Sequence, residues 1–127
     1  MTLTPGASAE RLVLVERSDT AQRVGSGDLP VLATPRLLAF VEEACVGCVA
    51  GLLSDELTTV GARVVLDHRA PSPVGALVTI RVRLDDVDGR RLGFSFEASH
   101  GDGTIVAAGE HHRVVVDREG FMSRLAT

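Results

Sequence analysis

The sequence predicts a single α+β domain in which one long apolar helix is enclosed by an antiparallel sheet of about five strands. Three observations lead to this prediction. Within a helix predicted over residues 34–53, residues 37–53 are apolar nearly all round apart from two glutamates, and a helix of that kind is enclosed by other structure. Beyond residue 60 the apolar period changes to strict alternation, which is typical of half-buried strands. Short glycine-containing turns separate these strands, and short turns join antiparallel neighbours.

Size and composition fit one domain, spanning residues 1–127. The chain contains no Trp or Tyr and four Phe, so Val, Leu and Ala must build its core. The net charge of −4 argues against nucleic-acid and membrane-surface partners, which need clustered positive charge. The N-terminus lacks a signal pattern, and no uninterrupted apolar run is long enough to span a membrane. We therefore expect a cytoplasmic protein.

One strand and a loop are predicted ahead of the helix. Residues 1–9 are small and polar and are expected to form a loose leader. Residues 11–17 read RLVLVER, a short apolar run that predicts a strand. Residues 18–28 are polar and contain glycine, which predicts a loop leading towards the helix.

The helix is predicted to begin at Thr34 and to end at Leu53. A threonine hydroxyl can cap free amides, and Pro35 fits the first turn because its missing N–H is not needed there. At about 100° per residue, Glu42 projects from inside the apolar arc, whereas Glu43 lies between small residues. A carboxylate among apolar side chains is costly unless it is paired, and its pKa is expected to rise. Glu42 is therefore the more informative of the two glutamates.

Four strands are predicted after the helix. Residues 61–70 alternate with the even-numbered positions inward, and His68 is one of these. Pro71 and Pro73 then end this strand. Three more alternating strands are predicted at 77–85, 91–99 and 104–117, followed by a short peripheral tail. A sheet whose one apolar face covers a long helix is the hot-dog arrangement.

Two pairs of potential ligands are interpreted as structural. Cys45 and Cys48 form a C-x-x-C in the middle of the helix and in its apolar stripe. A reactive thiol instead needs a helix N-terminus or an exposed electropositive position. The adjacent residues His111 and His112 lie on a strand and point to opposite faces, so they do not ligate one ion together. We expect neither a metal nor a separate cofactor.

Three polar residues occupy positions where the pattern favours an apolar residue or a cap: Thr34, Glu42 and His68. Each alone has an ordinary explanation, respectively a helix cap, a contact in a dimer interface and a satisfied histidine at a strand end. Together they bring a hydroxyl, a carboxylate and an imidazole to one side of a sheet-and-helix layer. Such a combination predicts an acid–base site.

The order and spacing of three motifs resemble the hot-dog-fold thioesterases, specifically the fluoroacetyl-CoA thioesterase-like group, over about residues 31–116. The first motif comprises Ala33, Thr34, Glu42, Ala44 and Cys45. The second comprises Gly61, His68 seven residues later, and a loop containing Pro71, Pro73 and Gly75. The third comprises Gly89-Arg90-Arg91-Leu92 and the strand Gly109-Glu110-His111-His112-Arg113.

The resemblance implies a catalytic set of Thr34, Glu42 and His68. It also implies that Gly61 lies against the acyl group and that Arg113 is near the active site. The implied protein is a homodimer that hydrolyses a small acyl-CoA or acyl-carrier thioester, with coenzyme A bound near the subunit interface as part of the substrate. The fluoroacetate-specific enzyme has a phenylalanine gate before the helix, whereas residues 28–32 read DLPVL here. The acyl group is therefore left open.

The chemistry of thioester hydrolysis suits these side chains. Glu42 can act as a general base on water or attack the carbonyl directly, and the sequence leaves both mechanisms open. Thr34 can position the water or the carboxylate, while His68 can supply a hydrogen bond or a proton. Two alternatives remain: a non-catalytic binding protein that uses the same cleft, and a hot-dog dehydratase. The dehydratase is less favoured because those enzymes carry Asp and His close together in sequence.

Overall fold

The computed structural model of the protein describes residues 3–125. Its strands are β1 (Ser8–Leu14), β2 (Leu57–His68), β3 (Leu77–Asp88), β4 (Arg91–Ser99) and β5 (Ile105–Asp117). Its α-helices are α1 (Ala21–Val24), α2 (Thr34–Ala50) and α3 (Arg118–Ser123), with one 3₁₀ turn at Arg17–Asp19. Among these residues no helix combines the length and the apolar character needed to cross a membrane.

The five strands form one antiparallel sheet in the order β1-β3-β4-β5-β2. The long strand β2 is therefore an edge, paired with β5 from Leu57 opposite Asp117 to His68 opposite Ala107. Residues 61–65 of this edge are all exposed. Unpaired N–H and C=O groups along such an edge are a template for another strand.

The helix α2 packs across one face of the sheet, and this confirms the predicted hot-dog arrangement. Alternate residues of β3 point at the helix and are at most 2% exposed: Val78, Ile80, Val82 and Leu84. They meet the apolar side of α2: Leu37, Phe40, Val41, Ala44, Cys45 and Val49. Burying each large apolar side chain contributes roughly 1.5–3 kcal/mol, so this layer holds helix and sheet together without any Trp or Tyr.

The beginning of the chain differs from its prediction. The first strand covers Ser8–Leu14 rather than residues 11–17, and residues 3–9 are not a loose leader. Leu3 is buried in the core, while Gly6 and Ala7 exchange backbone hydrogen bonds with Leu84, both 2.8 Å long. The polar composition of this segment concealed its pairing with β3. Residues 1–2 of the predicted leader lie outside the described residues.

Several predicted boundaries also shift. The helix α2 ends at Ala50 rather than at residue 53, because Gly51 and the turn after it break the helical pattern. The strand β2 begins earlier than predicted and ends at His68 rather than at residue 70. The tail forms α3, capped by an Asp117 carboxylate that accepts from the amide of Gly120 at 2.8 Å.

A β-bulge divides β2 into two halves with opposite parity. Gly61 pairs with Arg113 and Arg63 pairs with His112, so Ala62 is an extra residue without a partner. Before the bulge the odd-numbered residues face the helix, and after it the even-numbered ones do, as buried Thr59 and partly buried Leu66 illustrate. Inward alternation was predicted from residue 62 onwards, but Ala62 itself is exposed. A bulge bends the strand and re-aims its side chains.

Candidate active site

Thr34 and His68 are joined by a hydrogen bond at the entrance to α2. The N-cap is Ala33 and makes no side-chain cap, so the prediction that Thr34 caps the helix is wrong. The Thr34 hydroxyl instead lies 2.7 Å from His68 Nδ1. This contact fastens the first turn of the helix to the end of β2, which the sequence pattern alone did not show.

The other ring nitrogen of His68 has no partner. Among the buried side-chain nitrogen and oxygen atoms of residues 3–125, Nε2 of His68 is the one without a hydrogen bond. Burial is the main cause that lowers the pKa of His68 below its ordinary value. The imidazole therefore favours its neutral form and offers one nitrogen to a bound molecule.

A cavity of about 320 Å³ lies beside this pair. Thr34 and His68 form part of its wall, Val31 and Leu32 give it apolar surface, and Arg69 borders it. Its lining thus combines the two hydrogen-bonding side chains with space for a small apolar group.

Glu42 lies elsewhere on α2, in a cluster with two residues of β5. Its Oε2 accepts a hydrogen bond from Arg113 Nη1 at 3.0 Å and lies 3.6 Å from His111 Nε2. The carboxylate was expected among apolar side chains, but 39% of the Glu42 side chain is exposed and it is ion-paired. The helical wheel could not show Arg113, because that side chain comes from the last strand.

Glu43 points away from this cluster. Its side chain is 58% exposed and forms an ion pair with Arg11 of β1, whose own side chain is 44% exposed. A solvated ion pair of this kind contributes little to stability. The difference between the neighbouring glutamates agrees with the helical-wheel prediction.

Arg113 is buried and held at several points. Its Nε donates to the Thr59 hydroxyl at 2.8 Å and its Nη2 donates to the Thr59 carbonyl at 3.0 Å. Its Nη1 donates to Glu42 and to His111 Nε2, the latter at 3.1 Å. A guanidinium fixed by four acceptors is a rigid partner for the Glu42 carboxylate.

Gly61 lies directly against the Glu42 carboxylate. A Cβ placed on Gly61 would be 2.8 Å from Glu42 Oε2, closer than a real Cβ approaches an oxygen. Glu42, Gly61 and His111 also line a cavity of about 290 Å³ that is open to solvent. Only glycine leaves room for both the carboxylate and a small reacting group at this point.

Within one chain the predicted residues therefore form two groups. Thr34 and His68 share one cavity, whereas Glu42 and Gly61 border another and Arg113 supports them. Eight residues of α2 at about 1.5 Å each separate Thr34 from Glu42 by about 12 Å along the axis. The arrangement offers an ion-paired carboxylate at one place and a free imidazole nitrogen at the other.

Sequence reasoning missed His111 as a member of the Glu42 group. The sequence placed it in the third motif and argued against a joint metal site with His112, and the two do lie on opposite faces of β5. The signal was present, since His111 and Arg113 are two residues apart on one strand and therefore share a face. No group of three or more His, Cys, Asp or Glu side chains within residues 3–125 is arranged to hold a metal ion.

The two cysteines of α2 have the properties of packing residues. Cys45 is buried, and burial raises the pKa of its thiol to about 12. Burial also raises the pKa of Cys48. Because the thiolate is the nucleophile, neither thiol is activated.

The sequence matches one family of known proteins along most of its length. Residues 15–119 fit the family described as the fluoroacetyl-CoA-specific thioesterase FlK. The fluoroacetyl-CoA thioesterase of Streptantibioticus cattleyicolor is 33% identical over 95 residues, which are 75% of this chain and 68% of the relative.

Solved structures agree with this similarity. The fluoroacetyl-CoA thioesterase FlK superimposes with a TM-score of 0.90 at 26% identity, covering 98% of this chain and 96% of that one. A hot-dog-like protein from Thermanaerovibrio acidaminovorans superimposes with a TM-score of 0.85 at 28% identity, covering 95% and 89% of the two chains.

Proposed function

Because the chain belongs to the family of fluoroacetyl-CoA-specific thioesterases, we propose that it hydrolyses a small acyl thioester of coenzyme A or of an acyl carrier. The protein is accordingly a thioester hydrolase. The proposed catalytic residues are Thr34, Glu42 and His68, with Gly61 and Arg113 at the substrate. Coenzyme A enters as part of the substrate, and the proposed reaction requires no further cofactor.

The observation that carries this proposal is the position of Glu42 against Gly61. The carboxylate borders a solvent-open cavity and lies where a Cβ on residue 61 would touch it. A planar thioester carbonyl can approach the backbone of a glycine more closely than the backbone of a residue that carries a side chain. The carboxylate is then within reach of the carbonyl carbon, or of a water molecule beside it.

The proposed reaction replaces the C–S bond of the thioester with a C–O bond. Glu42 either takes a proton from the attacking water or attacks the carbonyl carbon itself and is released by water in a second step. The carbonyl oxygen gains negative charge in this step, which hydrogen-bond donors around it must stabilise. The C–S bond then breaks. In the base route the proton that Glu42 takes from water reaches the sulfur through neutral His68, hydrogen-bonded to Thr34, whereas in the direct route the sulfur leaves as a thiolate and is protonated by the water that releases Glu42.

A homodimer would unite the two halves of the site. Support comes from the edge strand β2, where Val64 is 38% exposed and Val65 is 42% exposed. A two-fold axis between these two valines would pair β2 with its own copy in antiparallel fashion. Gly61 would then lie opposite His68 of the partner subunit, since both are equally far from the axis. Glu42 of one chain would face the Thr34–His68 pair of the other.

The proposed acyl group is small and apolar, without selectivity for fluorine. Residues 28–32 contain no aromatic side chain, and Asp28 and Leu29 are both exposed. The Thr34–His68 cavity therefore has no bulky ring at its mouth, while Val31 and Leu32 supply apolar surface within it. A longer or branched acyl chain is tolerated better in such a site than in a gated one.

The test measures free thiol released from a panel of acyl-CoAs: acetyl, fluoroacetyl, short linear, branched and aromatic. We expect turnover with small acyl groups and similar kcat/KM for acetyl-CoA and fluoroacetyl-CoA. Binding without turnover across the panel would replace the hydrolase with a binding protein. Reversible loss of water from a hydroxyacyl-CoA without thiol release would indicate a dehydratase.

Two further parts of the proposal concern the whole protein. A homodimer predicts a mass of twice 13.4 kDa by light scattering at micromolar concentration. A cytoplasmic location is proposed because acyl-CoA is a cytoplasmic metabolite and because Cys45 and Cys48 are both free thiols, as is usual in reducing compartments. Cell fractionation tests that location.

A further inference from the structure

We propose that His111 is a positioning residue, whose imidazole fastens the bulge of β2 to Arg113 and thereby holds Gly61 against Glu42. His111 is 2% exposed and lies on β5, between the bulge and the ion pair. This inference rests on the proposed function, in which Glu42 and Gly61 belong to the catalytic site. It assigns a task to a histidine that does not take part in the proposed reaction itself.

The hydrogen bonds of His111 define its tautomer. Nδ1 lies 2.9 Å from the carbonyl oxygen of Arg63, which can only accept, so Nδ1 must carry the hydrogen. Nε2 lies 3.1 Å from Nη1 of Arg113, which can only donate, so Nε2 must be the acceptor. His111 is therefore a neutral imidazole with both nitrogens occupied. A second proton would remove the acceptor that Arg113 uses.

The bond to Arg63 is made at the point where β2 changes parity. Arg63 is the first paired residue after the extra residue Ala62. Gly61, just before the bulge, and His68, beyond it, both lie on the helix side of the sheet. Because an inserted residue leaves backbone groups without ladder partners, it needs another contact to fix its conformation. The His111 side chain provides that contact from the neighbouring strand.

The bond to Arg113 links the same imidazole to the carboxylate. Arg113 Nη1 donates to His111 Nε2 and to Glu42 Oε2, so one nitrogen serves both residues. His111 thus connects three parts of the fold: the bulge of β2, the guanidinium on β5 and the carboxylate on α2. Loss of either bond would let the carboxylate move relative to Gly61.

The charges around His111 favour its neutral form. Burial is the largest cause that lowers its pKa, and the cation of Arg113 acts in the same direction. The carbonyl of Arg63 and the carboxylate of Glu42 oppose them. Acid that protonates His111 would place a second cation beside Arg113, so we expect turnover to fall as this histidine titrates, below pH 6.5.

Three substitutions of His111 test its hydrogen bonds to Arg63 and to Arg113 one at a time and together. His111→Asn keeps a donor near the Arg63 carbonyl, His111→Gln keeps an acceptor near Arg113, and His111→Phe removes both. The matched control is His112→Phe, since His112 lies on the opposite face of the same strand. We expect kcat to fall about 10-fold in the Asn and Gln variants and about 100-fold in the Phe variant, as misplacement of catalytic groups typically does. KM should change less than kcat, and the control should stay within about three-fold of wild type.

A second measurement does not depend on turnover. The ¹⁵N chemical shifts of the histidine rings report tautomer and charge, and we expect His111 to be neutral with hydrogen on Nδ1 at pH 7. The Gly61 amide resonance should shift in His111→Phe and stay in place in His112→Phe. If His111→Phe does not fold, the kcat values of His111→Asn and His111→Gln test the inference instead.

The outcomes distinguish this inference from the proposed function. If the wild-type protein hydrolyses no thioester, the proposed function is wrong. The tautomer of His111 and the shift of the Gly61 amide would still test the inference on their own. Hydrolysis by wild type, with unchanged kcat in folded His111 variants, would overturn the inference and leave the function standing. Hydrogen on Nε2 of His111 would overturn it as well.

Discussion

Gly61 and His68 are seven residues apart on one strand, yet both lie on the side of the sheet that faces α2. In a regular strand an odd separation puts two residues on opposite faces. Because Ala62 is an extra residue at the bulge, Gly61 and His68 lie on the same face of the sheet. In the proposed dimer this relationship would place the close backbone approach at Gly61 of one chain and the partly buried imidazole of the partner's His68 on the same face of the joined sheet.

Replacement of the two neighbouring glutamates should give opposite results. Glu42→Gln keeps the shape of the side chain but removes the base, so turnover should fall at least ~10²-fold. Glu43→Gln removes only a solvated ion pair with Arg11 and should leave turnover within a few-fold of wild type. Steady-state kinetics with the best acyl-CoA provides the comparison. Equal activity of the two variants would contradict the assignment of Glu42.

Adding one methyl group at Gly61 should impair the site while the fold survives. Gly61→Ala puts a Cβ 2.8 Å from Glu42 Oε2, so the carboxylate must move away from the cavity. We expect kcat/KM to fall about 100-fold, because a small misplacement of a reacting group has that effect. Gly47→Ala is the control, since its Cβ meets nothing within 4 Å on the exposed side of α2. A fully active Gly61→Ala would argue against a role for this glycine.

Mixing two inactive variants tests whether the site is shared between subunits. Chains with Glu42→Gln and chains with His68→Ala are unfolded together and refolded at equal amounts. If each site takes Glu42 from one chain and His68 from the other, a mixed dimer keeps one intact site. About a quarter of wild-type activity should then return, since half of the dimers are mixed. No recovery would mean that each chain contains its own complete site.

His68→Ala should reduce turnover more than stability. The buried Nε2 of His68 has no partner to lose, and Nδ1 loses only its bond with the Thr34 hydroxyl. We expect kcat to fall by ~10²-fold or more, with a melting temperature close to that of wild type. A purely structural histidine would show the reverse, namely a large loss of thermal stability with activity retained in the folded fraction.

Stability should decrease on acidification because buried His111 and partly buried His68 both favour the neutral form. Burial lowers the pKa of His68 and of His111 below the ordinary value of 6.5. Below pH 6.5 the unfolded chain therefore binds protons that the folded chain resists, and the free energy of unfolding falls as pH drops further. Urea unfolding at pH 7 and pH 5.5 measures this difference. It should shrink in the double variant His68→Gln/His111→Gln and persist in His112→Gln.

The layer of helix and sheet was readable from the sequence because apolar periodicity reports burial directly. Residues 34–53 and the alternation of β3 and β4 predicted the buried faces correctly. The N-terminal segment was misjudged because Gly6 and Ala7 pair through backbone atoms, which leave no pattern in side-chain polarity.

The candidate site was only half visible in the sequence. Residue type and parity singled out Glu42 and His68, but the ion pair of Glu42 with Arg113 joins residues 71 positions apart. No local pattern records such a contact. The bulge at Ala62 was hidden for a similar reason, since alternation on either side of it looks regular when each half is considered alone.

Because the core is packed without Trp or Tyr, the protein has very weak absorbance and fluorescence in the near ultraviolet. Its four phenylalanines absorb and emit too weakly to report on folding or binding. This low background fluorescence is useful, because one tryptophan introduced at Val65 would be the only indole in the molecule. Its emission would move to shorter wavelength if a second chain covered the edge of β2, and the assembly could be followed at concentrations far below those that scattering requires.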